Sequence, residues 1–301
     1  MKAFRTFLPI SILLSLVLTP ALAFDGLLER IDEASTEERY DDLRTLLDDA
    51  GRRASNGRER AEVYWRRARL QLVLVDRDRA AGNTPDRELV ERLEQGEAYA
   101  QQAIDADSSL AEGHFWMAAN MGRRGQVRGV LNSLFMASDV RDYAQAAISR
   151  DEGLAEAYHL LGILYRELPG GIISFGDDQR AVSLGRRAVD LNREDYERGD
   201  ADDIFYQYQI ELAQSLWERN WNQRRRSRAH SGLQSDFRAA STGLERAFTY
   251  EGAVNIAPGT DRDEARSMID GVIRALERQG SLSQAQRDHL AEARGLREDW
   301  N

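Results

Sequence analysis

Sixteen residues of this chain return 44 positions later, and that spacing limits the possible folds more than any other feature. Tyr99-Ala-Gln-Gln-Ala103-Ile-Asp-Ala-Asp-Ser-Ser-Leu-Ala-Glu-Gly-His114 comes back as Tyr143-Ala-Gln-Ala-Ala147-Ile-Ser-Arg-Asp-Glu-Gly-Leu-Ala-Glu-Ala-Tyr158, with nine positions identical. A looser copy, Gly185-Arg-Arg-Ala188-Val-Asp-Leu-Asn-Arg193, places its alanine 41 positions after Ala147. A unit of this length is one supersecondary element that cannot bury its own apolar face, so it leans on its neighbour and the units stack.

Helical periodicity runs through almost the whole chain, and no stretch sustains period-two alternation. Ser35-Thr-Glu-Glu38 reads as a capping box opening a helix through Tyr40, Leu43, Leu46 and Leu47, with Gly51 as its stop. Further helices are expected over 59–75, from Pro85 to about Ala106, and over 111–121, 131–148 and 154–168. Asp177 or Asp178 should cap the next, which ends near Leu191, and another covers 204–217. Three more are expected at 236–249, 261–278 and 283–300. The predicted fold class is all-α, a helical-hairpin solenoid closed by a C-terminal helical cap. The expected division is 1–23, 24–221 for the repeats and 222–301 for the cap.

Residues 1–23 read as a separate object. Lys2 and Arg5 precede an apolar run from Phe7 to Leu18, and Ala21-Leu22-Ala23 supplies small residues two apart. Those are the three parts of a secretory signal peptide, and the run is too short to span a bilayer. Cleavage after Ala23 is expected, with export to a periplasm and no integral membrane segment left. The chain has no cysteine, so it has neither disulfides nor a lipoprotein anchor site. Beyond the leader, 39 basic residues (41 less Lys2 and Arg5) face 51 acidic ones, a net charge of −12. That balance argues against nucleic acid as a partner. Lys2 is the sole lysine, so every later basic group is an arginine, whose fork pairs bidentately with carboxylates.

The copies resemble the tetratricopeptide repeat, most clearly at Ala155-Glu-Ala-Tyr158-His-Leu-Leu161-Gly162-Ile-Leu-Tyr165. Large, apolar, small and aromatic residues stand at the motif's positions 4, 7, 8 and 11 (Tyr158, Leu161, Gly162, Tyr165), and Ala181, Gly185 and Ala188 supply the second helix. The neighbouring copy has His114, Met117, Ala118 and Met121. The resemblance implies that the first helix of each hairpin lines a concave face. It departs from a regular array, whose period is roughly 34 residues. An insertion is expected around Gly122–Gly129, and a long loop at Leu168-Pro-Gly-Gly171. His114-Phe-Trp116-Met-Ala-Ala-Asn120 and that loop are similar to the periplasmic T-component proteins of TRAP transporters. A family of eukaryotic microtubule-associated helical-repeat proteins is similar over the same stretch, and the bacterial-style leader weighs against it.

Motif position and helical spacing make Phe115, Trp116, Ala119, Asn120, His159, Ile163 and Arg166 the binding candidates. Reversing the charge of Arg166 is expected to weaken partner binding without lowering the melting temperature. The competing reading for His114, Trp116 and Asn120 is packing. His114, His159, His230 and His289 show no ligand spacing, so no metal is expected. No Gly-Lys-Ser/Thr or Gly-x-Ser-x-Gly motif occurs, and no cofactor or catalytic set is expected. Arg224-Arg-Arg-Ser-Arg228 reads as a solvated face, with internal carboxylate pairing as one alternative. The implied role is a non-enzymatic exported protein holding a periplasmic solute-binding protein, or a small organic ligand, in its groove. The other reading is a scaffold for envelope assembly.

Overall fold

The computed structural model describes residues 20–171, 174–201 and 203–300. These form thirteen α-helices and no strand; one isolated bridge pairs Gly170 with Gly176. Most of the expected leader lies outside the described residues, as do Ile172 and Ile173. No described helix is long and apolar enough to cross a membrane.

The helices pair as antiparallel hairpins in chain order. They are α1 (Pro20–Thr36) with α2 (Tyr40–Arg53), α3 (Gly57–Ala81) with α4 (Asp86–Ala106), α5 (Ala111–Arg128) with α6 (Val130–Arg150), and α7 (Ala155–Glu167) with α8 (Asp178–Arg198). Then comes α9 (Gln207–Arg219). Each second helix also touches the first helix of the next hairpin, and α3, α5, α7 and α9 stand side by side. This is the stacked helical-hairpin solenoid that the repeat implies. Small residues set the close crossings: Ala118, Ala144, Ala147, Ala181 and Ala188 are buried in one continuous core with Tyr158, Leu161 and Tyr165. A Cβ on Gly162 would lie 3.4 Å from the Ala181 carbonyl oxygen, so α7 and α8 are already in backbone contact there.

Several local expectations are corrected. Ser35 sits in the last turn of α1, not at the start of α2. Phe24, Leu27, Ile31 and Ala34 bury one apolar stripe and carry α1 past the capping signal, and Glu38 makes the turn at φ 57°. Gly51 lies inside α2, beside the Arg67 guanidinium. Gly122 and Gly125 interrupt nothing: α5 runs on to Arg128 and stops at Gly129, whose φ of 96° suits glycine. The expected insertion is therefore a lengthened helical hairpin, with Gly122 packed on Val140. Helix α8 continues beyond Leu191 to Arg198, where Gly199 ends it in the left-handed conformation, and Asp177 caps its start through the Gln179 and Arg180 amides.

The main surprise is the last hairpin, which is split. Opposite α9 stands α12 (Asp261–Glu277), and Ile210, Leu212 and Leu216 bury against Ala265, Ile269, Val272 and Leu276. Between them the chain makes α10 (Gln223–Ala239), α11 (Gly243–Phe248) and a 3₁₀ turn at Tyr250–Gly252, which fold back on α8 and α6. The helix expected over 236–249 is thus two helices broken by Thr242, which caps α11 in a reciprocal box with Glu245. Helix α13 (Gln284–Asp299) closes the stack against α12 and α9, with Trp300 stacked on Trp217 at 4.4 Å.

Three buried arginines and three carboxylates pin the folded-back segment. Arg219 bridges Asp261 at 2.8 Å and Glu251 at 2.5 Å. Arg226 reaches Asp261 at 2.9 Å and also pairs with Glu264. Arg186 completes the ring with Glu264 at 2.7 Å and Glu251 at 3.2 Å. The cluster is neutral as a whole, and Asp261, with no exposed surface, also accepts the Trp221 amide at 2.9 Å. The 224–228 arginine run therefore divides: Arg226 is paired inside the protein, while Arg224, Arg225 and Arg228 face solvent.

Candidate functional site

Helices α3, α5, α7 and α9 stand side by side and form one wall of the stack. Side-chain pairs run along it: Arg66 of α3 pairs with Glu62 at 2.8 Å, Arg166 of α7 with Glu211 of α9 at 2.6 Å, and Gln207 donates to Glu211 at 3.2 Å. Glu292 of α13 joins the row by accepting from Gln214 at 3.0 Å.

The sequence candidates occupy different depths. Trp116, Ala119, His159 and Ile163 are half-buried on the wall. Phe115, 7% exposed, points into the core between hairpins. Asn120 has no exposed surface; its amide donates to the Ala68 carbonyl at 3.2 Å and the Trp116 carbonyl at 2.8 Å, tying α5 to α3. Its Oδ1 faces Gly96. Arg166 is on the wall but already engaged: it donates to Glu211 at 2.6 Å and Glu167 at 2.8 Å, and its side chain is 5% exposed. Reversing its charge would leave Glu211 facing a like charge in a desolvated place, so the expected indifference of the melting temperature does not follow from this geometry.

Three wall residues escaped the motif reading: Glu112, Glu156 and Glu292. None forms a salt bridge among the described residues. Burial raises the pKa of each, and neighbouring carboxylates add to the rise: Glu62 and Asp151 for Glu112, Asp195 and Asp151 for Glu156, Glu211 for Glu292. Glu156 itself is exposed to solvent, and the Arg69 charge works against the rise. The repeat did hold a signal, since Glu112 and Glu156 are 44 positions apart and each lies one helical turn before a candidate, Phe115 and His159.

Beside Glu156 lies an aromatic run. The His159 ring is 4.5 Å from Tyr208, Tyr208 is 5.2 Å from Phe205, and Phe205 is 5.0 Å from His289. Burial, helped by the Arg166 charge, pushes His159 down to about 3, so it stands neutral on the wall. In the unfolded chain it takes a proton below pH ~6.5. Stability is therefore lost as pH falls from that value toward the folded one. Between pH 7 and pH 5 this should cost about 1–2 kcal/mol. Urea unfolding of wild type and His159→Gln at both values checks it: the variant should lose that much less, and equal losses would refute the assignment.

No three His, Cys, Asp or Glu side chains among the described residues converge as a metal site. A cavity of about 280 Å³ lies away from the wall, between α2 and α3, lined by Asp48, Arg52, Arg60 and Arg67 among others. Arg67 is paired there with Asp48 at 2.9 Å.

Comparison with known proteins gives one finding over part of the chain. No curated protein matches it. A family model described as regulator of microtubule dynamics protein 1-3 matches residues 27–168, which is fewer than half of the 301 residues and corresponds to α1 through α7.

Proposed function

We propose that this is a non-catalytic repeat protein that grips a partner protein along the wall of α3, α5, α7 and α9. One observation carries the reading. Consecutive wall helices present half-buried apolar groups, Trp116 and Ile163, on the same helices as Glu112 and Glu156, which form no salt bridge among the described residues. Such groups are retained where a second molecule satisfies them. The leader of residues 1–23 supports export. The resemblance of the His114–Asn120 helix to TRAP T-components makes a periplasmic solute-binding protein the narrowest version of the proposal.

The family match favours a second reading, a helical-repeat protein that regulates microtubule dynamics. The two part at the N-terminus. Export with a start at Phe24 supports the first, and retention of Met1 in the cytoplasm supports the second. The test of the wall itself is cross-linking and pull-down from the native compartment with wild type and an Ile163→Arg/Trp116→Ala variant. The variant should lose the partner while keeping its helical circular dichroism. Undiminished capture by a folded variant would refute the wall as the binding face.

A further inference from the structure

We infer that the cavity between α2 and α3 is a binding site for a small organic molecule carrying two negative charges. The site is separate from the wall and does not depend on its proposed function. The cavity holds about 280 Å³, just under the roughly 300 Å³ at which small-ligand pockets begin. Helix α2 lines it with Asp48, Gly51 and Arg52, and α3 with Arg60, Tyr64 and Arg67, each set sharing one helical face. Asp48, Arg52 and Arg60 are exposed, so the cavity opens to solvent. Buried Val63 and half-buried Ala54 and Tyr64 give it an apolar side.

Positive charge is in surplus there, although the chain as a whole carries a net charge of −10. Three guanidiniums, Arg52, Arg60 and Arg67, line the cavity with a single carboxylate, Asp48. Asp48 at 2.9 Å and the Leu47 carbonyl at 3.4 Å both take Nη2 of Arg67, which leaves its Nε and Nη1 without a hydrogen bond among the described residues. Arg52 reaches only Asp49, at 3.4 Å, and Arg53 already holds Asp49 at 2.7 Å. The Arg60 guanidinium has no ion pair or hydrogen bond among the described residues, and neither does the Tyr64 hydroxyl. Glu59, next to Arg60 in the chain, is turned instead to the Ser55 amide and hydroxyl at 2.6 and 2.8 Å. With Asp49 held by Arg53, two positive charges are left over, and guanidinium forks take carboxylate or phosphate oxygens in pairs.

Gly51 keeps the space open. A Cβ there would lie 3.1 Å from Nη2 of Arg67 and 3.9 Å from Cγ1 of Val63, both of which line the cavity. Alanine would serve the interior of α2 better than glycine does. The methyl group that Gly51 lacks would stand where the ligand's charge meets Arg67.

The experiment is isothermal titration calorimetry of full-length protein with phenyl phosphate and with phthalate, at about pH 8, where both are dianions. Phenol, which has the ring without the charges, is the control. At least one dianion should bind saturably and phenol should not; the tighter of the two tells a phosphoryl group from a pair of carboxylates. Arg60→Gln should weaken that binding by about tenfold, the scale of ~1.4 kcal/mol. Arg87→Gln removes the same charge from an exposed pair with Glu91 on α4 and should change it less than about twofold. Gly51→Ala alters no charge, yet should weaken binding about fivefold by filling the space beside Arg67. Arg60 has no partner to lose and alanine suits a helix, so both cavity variants should melt no lower than wild type. Absence of saturable binding by either dianion would overturn the inference. So would equal weakening by Arg60→Gln and Arg87→Gln, or wild-type affinity in Gly51→Ala, since the anion would then sit on open surface charge. Ile163→Arg should bind the dianion as wild type does, which keeps the outcome independent of the wall.

Discussion

Asp261→Ala is expected to cost the fold about 3–5 kcal/mol, because it removes one pole of a buried ion cluster and leaves two arginines with too few partners. Asp261 serves Arg219, Arg226 and the Trp221 amide at once, and without it three cations share the two carboxylates of Glu251 and Glu264. Asp261→Asn retains shape but not charge, so a comparable loss would identify the charge as the cause. Chemical denaturation at pH 7 is the measurement, and a loss below ~1 kcal/mol for the alanine variant would remove the cluster from the list of what holds α10 to α12 in place. The same cluster has a pH signature at Glu251. Burial alone would raise its pKa, but the Arg219 and Arg186 guanidiniums outweigh that and hold it below the usual 4.5. Its contribution is therefore complete above that value and fades as acid titrates it through the depressed pKa.

Gly96→Ala is expected to cost about 3 kcal/mol, although alanine is the better helix former by ~1 kcal/mol. A Cβ at position 96 would lie 2.1 Å from Asn120 Oδ1. Asn120 has no exposed surface to move into, and swinging it away breaks its bonds to the Ala68 and Trp116 carbonyls. The double variant Gly96→Ala/Asn120→Ala makes room for the methyl group. It should therefore be far less destabilised than the two single losses add up to, with a coupling of about 1–2 kcal/mol. Strict additivity would mean that α4 and α5 adjust without Asn120.

The comparison of residues with structure has a physical pattern. Whatever repeats was legible: Ala103, Ala147 and Ala188 mark the close helix crossings because only small side chains fit there, and their recurrence gave the hairpins and their order. Whatever depends on distant partners was not. Arg186 meets Glu264 across 78 positions, and each looks like an ordinary solvated helix charge until α10 folds back. The pairing of α9 with α12 leaves no trace in local periodicity, since any amphipathic helix could have taken that place. Motif position chose Trp116, His159 and Ile163, which are half-buried. It could not anticipate that Gly96 and Ala68 crowd the middle of α5 and enclose Asn120. Glu112 and Glu156 were within reach of the 44-residue spacing, but acidic residues in the first turn of a helix pass for dipole partners.

The closure of the stack by α13 gives the groove a fixed length. From α3 to α13 the wall is five helices wide, so about 40 Å separate its ends at the usual interaxial distance. A stretched polypeptide covers that in roughly a dozen residues. Under the proposed wall function the molecule would act as a gauge: a longer guest would overhang at one end, and a shorter one would leave part of the row unread.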